Sequence, residues 1–171
     1  ILPVLIFSAV HLLIKNRVAC ISSRMLILVY TCVFLIGSMN KIVRGMNLMR
    51  LMDLLAARPD AKMSETVCLF AVSYFVKHRT DHLRSAIPIA EEAFRAGLKY
   101  GDMMYTTSSM MSLGRAIFLA GLEFSEMEKF LNAYTPTTSR LKLWRGFNTL
   151  QLHRQAILNL RGFSADPCVL S

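Results

Sequence analysis

Long apolar runs are missing from this chain, although its hydrophobic fraction is 54% and its mean hydropathy +0.42. Such a composition raises membrane insertion first. Leu2–Ile14 is interrupted by His11, and Met25–Gly37 is bracketed by Arg24 and Lys41. Each run is roughly 13 residues, short of the ~18 that crossing a bilayer requires, and runs of that length belong more often to buried helices. Neither a basic start nor a small-residue cleavage site surrounds the first run, which argues against a secretory signal.

Cysteine chemistry is also thin. Cys20, Cys32, Cys68 and Cys168 are widely spaced, with no CxxC pair and no clustered histidines. They read as small buried hydrophobes in a reducing compartment rather than as a metal or redox centre. No GxxxxGK[ST] loop and no kinase signature are present, which removes the usual phosphate cradles. The serines and cysteines lack an identifiable base and orienting acid. Glu91 and Glu92 are adjacent, so on a helix they point in different directions and make a poor acid/base pair. His78 and His82 have the four-residue spacing of helical metal ligands, but Arg79-Thr80-Asp81 reads as a break between them. His11 reads as a core histidine and His153 as a surface one. No catalytic residue, cofactor or metal site is expected.

Sustained β alternation is absent too, and the chain reads as all-α. Its organising stretch is Ile87–Gly121. Ile89, Ala93, Ala96, Gly97 and Tyr100 form one apolar stripe, leaving Glu91, Glu92, Arg95 and Lys99 to water. Gly101 supplies a left-handed stop and Asp102 an N-cap for the next helix. That helix offers Tyr105, Ser108, Ser109, Ser112, Leu113 and Ala116 as a face of small and medium residues, and Gly121 ends it. Two antiparallel helices with small residues at their contact are the unit of an α-solenoid.

Further helices are expected over Leu2–Asn16, from Ser22 or Ser23 to Gly37, over Met39–Ala57, Glu65–His78 and Leu83–Tyr100, and then Phe124–Tyr134 and about Arg140–Leu160. Ser64 and Thr80 or Asp81 are expected openers, Arg58-Pro59-Asp60 a stop, and Thr135-Pro136-Thr137-Thr138 a turn. Leu113, Ile117, Phe118, Phe130, Leu150, Ile157 and Leu158 are the expected core of the second half. Pro59-Asp60 and Gly101-Asp102 lie 42 residues apart, and Gly37 and Gly121 twice that. A period near 40 suits helical-hairpin repeats. The expectation is therefore a tetratricopeptide-like α-solenoid of about eight helices, a single domain over 1–171. A start at Ile1 and an end in DPCVLS suggest a piece of a longer multidomain protein.

Net charge is +9, with the twenty Lys and Arg residues scattered along the chain. Most read as solvated helix faces. Arg140, Lys142, Arg145 and Arg154, with Arg161 beyond them, flank the sole tryptophan, Trp144, and form the candidate partner surface. A solvated face is the first reading of these residues too; as a binding surface, an acidic protein is favoured there over nucleic acid.

Several segments resemble a known family: FVKH at 75–78, EEAFRAGLKYGD at 91–102 with Tyr105 after it, FLAG at 118–121, QAILNLRG at 155–162 and DPCVLS. RGMNLMRLMDLL at 44–55 extends the likeness upstream. The chain resembles the tetratricopeptide-like helical region of large bacterial and fungal signalling multi-kinases. There the region lies between a STAND-type, AAA-like ATPase module and sensor and histidine-kinase domains, some members adding an N-terminal serine/threonine-kinase domain. Arg79 replaces an expected aromatic, Met104 an expected acid, and Met49 and Met52 expected small residues. The resemblance implies a cytoplasmic, non-catalytic scaffold that relays regulation to neighbouring domains or a protein partner. The competing readings are a fragment of a polytopic membrane protein and a basic nucleic-acid-binding module.

Overall fold

A computed structural model describes residues 41–56 and 59–164, together with 30, 31, 33–36, 166 and positions 4, 5, 8, 9, 11, 12 and 15. Every regular element among the described residues is helical. The expected stop at Gly37 lies outside them, as do Cys20, Cys32 and Cys168. The helices beyond residue 40 are α1 (Ile42–Ala56), α2 (Glu65–Ala71), α3 (Lys77–Thr80), α4 (Ala86–Tyr100), α5 (Met103–Leu119), α6 (Phe124–Arg140) and α7 (Trp144–Leu160). A 3-10 segment, Pro59–Ser64, leads into α2, a π-helical turn, Val72–Val76, joins α2 to α3, and a 3-10 turn, Leu83–Ser85, opens α4.

The centre of the molecule is the α4–α5 hairpin. Gly101 ends α4 at φ 75°, a conformation that glycine reaches without a Cβ penalty. The Asp102 carboxylate then accepts the Tyr105 N–H at 3.1 Å, satisfying one of the free donors that open α5. At the other end of the hairpin Arg84 donates through Nε to the Ala120 carbonyl (3.3 Å) and through its terminal nitrogen to that of Gly121 (3.0 Å). The start of α4 thus lies beside the end of α5, so the pair is antiparallel. The α6–α7 pair is antiparallel as well, since Arg161 at the end of α7 pairs with Glu128 near the start of α6.

The helices α2, α5 and α7 run in a common direction. Phe70 meets Tyr105 and the Ser73 and Ser112 hydroxyls lie 3.2 Å apart, so both partners advance together. On the other side of α5, Gly146 abuts Met110, and further along Gly114 lies against Leu150 and His153. One buried cluster spans the second half, with Phe94, Met110, Leu113, Ile117, Met127, Leu131, Leu143, Leu150 and Ile157 at its centre. Phe118 and Phe130 are only partly buried against it. Leu158 is likewise half-buried. A smaller cluster gathers Ile36, Val67, Cys68 and Val76. Burial pushes the Cys68 thiol up to about 12, which leaves it protonated and unreactive.

Four local expectations are corrected. Thr135-Pro136-Thr137-Thr138 is not a turn, because α6 runs through it to Arg140. Pro136 is exposed, and so is Asn132, whose carbonyl loses a helical donor there. The Thr135 hydroxyl donates to the Leu131 carbonyl at 2.6 Å and that of Thr138 to the Thr135 carbonyl at 2.9 Å. These hydroxyls bond carbonyls on either side of Asn132, and that of Thr138 is satisfied where the residue is fully buried. Consequently α7 begins at Trp144, not Arg140. The opener before α4 is His82, whose Nδ1 accepts the Arg84 N–H at 3.2 Å, while Asp81 caps the His82 N–H itself. Ser64 makes no side-chain cap, because its hydroxyl donates back to Ala61.

Candidate functional site

The cations flanking Trp144 divide into two groups. Arg140, Lys142, Trp144 and Arg145 gather at the corner where α6 turns into α7, and all four are exposed. The turn requires Lys142 at φ 55°, the one described non-glycine residue with positive φ. That conformation is costly for a side chain bearing a Cβ. Trp144 is 56% exposed and meets Phe147 edge-on at 6.1 Å. Arg154 is also exposed but stands apart. It lies nine residues beyond Arg145, which on an α-helix is about 14 Å along the axis and roughly half a turn around it. Arg161 is held by Glu128 and lies over the Phe163 ring at 4.6 Å.

Two polar networks occupy the interhelical contacts, and neither is signalled by local spacing in the sequence. In the first, the Tyr134 hydroxyl donates to Glu91 at 2.8 Å while Arg95 pairs with the other carboxylate oxygen at 3.2 Å. Phe94 meets the Tyr134 ring edge-on and Phe130 stacks beside it. Burial and the Glu91 carboxylate push the phenol up to about 12. An open groove of about 380 Å³ lies above it, lined by Glu91, Glu126, Lys129, Phe130, Ala133 and Tyr134. In the second, Arg115 donates to the Tyr74 carbonyl at 2.9 Å and lies over the Tyr74 ring at 3.8 Å. Tyr74 sits in the π turn, where wider winding disturbs the usual pairing of backbone carbonyls.

The remaining candidate residues act within the framework. Gly101 and Asp102 form the α4–α5 turn, Tyr105 packs on Phe70, and Gly121 (φ 64°) follows α5. Leu150 and Ile157 are buried in the main cluster. His78 lies in α3, whereas His82 lies beyond its end with Nδ1 already accepting a hydrogen bond. Burial lowers the His78 pKa first, with help from Arg115 and Arg79. His153 is half-buried rather than on the surface, as its ring packs on Phe118 at 5.2 Å and against Gly114. Burial holds it below the usual histidine range, partly offset by the Thr149 backbone. No group of three or more His, Cys, Asp or Glu residues suited to a metal occurs among the described residues. Nor is any helix among them long and apolar enough to cross a membrane.

Compared with family models, curated proteins and solved structures, the chain gives no match.

Proposed function

We propose that this chain is a non-catalytic helical-repeat scaffold, an α-solenoid segment that holds a protein partner or neighbouring domains. In the setting that the resemblance suggests, it relays regulation between an ATPase module and the sensor and kinase domains of a signalling multi-kinase. The observation that supports the solenoid reading is the sequence separation of three hydrogen bonds between helices that are not joined by one turn. Ser73 to Ser112 is 39 residues, Tyr74 to Arg115 is 41 and Glu91 to Tyr134 is 43. Those separations bracket the 42-residue period of the turn signals. Stacked repeats touch only their neighbours, so contacts one repeat apart are what such a stack requires. The common direction of α2, α5 and α7, with α4 and α6 returning between them, agrees with that arrangement.

A stack of this kind works by presenting one face and passing on changes of curvature. Phosphoryl transfer, by contrast, needs a backbone cradle, a positioned cation and metal-holding carboxylates. The glycines here are spent on helix ends and close approaches such as those at Gly101, Gly121 and Gly97. Calorimetry with ATP and a turnover assay on residues 1–171 test the reading. No saturable binding and no hydrolysis are expected. Hydrolysis abolished by Asp102→Asn would refute it.

A further inference from the structure

We propose that the outer face of α7, with the α6–α7 corner, binds an acidic amphipathic helix of a partner protein. This rests on the scaffold reading and specifies the partner that one of its surfaces takes. Between Glu128 and Asp166 the chain carries no acidic residue but six cations, Lys129, Arg140, Lys142, Arg145, Arg154 and Arg161. Only Arg161 among these forms an ion pair with a described residue. Three of them, Arg140, Lys142 and Arg145, are exposed together at the corner beside Trp144, and positive charge gathered there attracts and orients a partner of the other sign.

The apolar part of the face fixes the class of that partner. Gly146, Leu150 and His153 turn toward α5. On the opposite side Trp144, Asn148 and Leu152 follow one another at four-residue steps, with Arg145 seven before Leu152. Trp144 is 56% and Leu152 52% exposed. Exposed tryptophan beside arginine is the composition that dominates binding energy at protein interfaces. A nucleic-acid backbone would satisfy the cations but give Trp144 and Leu152 nothing apolar to meet. A helix with leucines on one face and carboxylates on its flanks satisfies both.

Trp144 is the only tryptophan and therefore reports occupancy directly. The probe is a synthetic peptide of about five helical turns, with leucines on one face and glutamates elsewhere. Poly-glutamate and single-stranded DNA of equal charge serve as comparisons, all titrated against the full chain. The peptide should shift Trp144 emission to the blue with saturation. Arg145→Glu or Leu152→Glu should weaken it by about tenfold or more, as expected for central contacts. Arg154→Glu, on another side of α7, should change it by less than about twofold. Thermal melts verify each variant, and Arg145→Gln and Leu152→Ser replace any that unfold. No emission change, equal binding of poly-glutamate, tighter binding of DNA, or equal loss in Arg154→Glu would each overturn the proposal. None of these results bears on ATP turnover, whose detection would instead overturn the scaffold reading itself.

Discussion

Gly97 of α4 rests directly on Thr106 of α5: a Cβ at residue 97 would lie only 3.0 Å from the Thr106 Cβ and from Cγ2 of Thr66. The Thr106 hydroxyl, nearer still, is committed to the Asp102 carbonyl at 2.6 Å. Three segments therefore converge on a position with no side chain. Gly97→Ala gains helix propensity of about 0.5–1 kcal/mol but must push α4 and α5 apart in a close-packed interior. We expect a net loss of about 1–3 kcal/mol. Adding Thr106→Ala should recover part of it, a coupling read from the double-mutant cycle in denaturant melts.

Gly101 tests a different property from Gly97. A Cβ there meets nothing within 4 Å, so any cost comes from φ 75° alone. Gly101→Val should cost about 1–2 kcal/mol through the left-handed backbone. Asp102→Ala should cost about 1 kcal/mol by freeing the Tyr105 N–H. Melts unmoved by both changes would contradict the turn.

Leu150 and Ile157 contact the main cluster from α7 and are almost wholly buried. Each change to alanine should cost about 2–5 kcal/mol by lost burial and cavity formation. Pro136→Ala should act oppositely, stabilising by up to about 3 kcal/mol as the helix regains a donor. Guanidinium titrations of the three variants supply the comparison.

His153 sets an acid limit. Its folded pKa lies below its unfolded value, so the unfolded chain binds the extra proton. The stability concerned is complete above the ordinary histidine pKa, near pH 6.5, and is lost as pH falls through it toward the folded value. His153→Gln should flatten the melting temperature between about pH 5 and 7 relative to wild type. Tyr134 sets the alkaline counterpart, because its folded pKa of about 12 exceeds the ordinary 10.0. Its contribution is complete below the ordinary value and is lost as pH rises toward the folded one. Tyr134→Phe should remove that alkaline loss at a cost of about 1 kcal/mol at neutral pH.

The helices were legible in the sequence where local chemistry is decisive. Gly101-Asp102 and the stripe of Ala93, Ala96 and Gly97 carry their meaning within a few residues, and the all-α architecture follows from many such signals. Pro136 misled because turn chemistry in sequence does not reveal that the Asn132 carbonyl, which loses its donor, belongs to an exposed residue. His153 looked solvated beside Arg154, since the small Gly114 that receives its ring lies on another helix. The Glu91–Tyr134 and Tyr74–Arg115 contacts join residues 43 and 41 positions apart. The 42-residue period of the turn signals is visible in the sequence, but the faces it brings together are not. For the partner surface, the residues around Trp144 were visible as a cluster and helical spacing already kept Arg154 off their face, whereas the place of Arg140 at the end of α6 was not visible.

The Ser73–Ser112 contact tests the proposed stacking of one repeat on the next most directly. The two hydroxyls lie 3.2 Å apart in a buried position, 39 residues apart in sequence. Ser73→Cys with Ser112→Cys, in a background with the other cysteines replaced by serine or alanine, should form a disulfide under mild oxidant. Peptide mass analysis without reductant should find the two segments linked, while single variants give no intramolecular link. A chain that keeps its helical circular dichroism yet yields no crosslink would contradict the stacked arrangement.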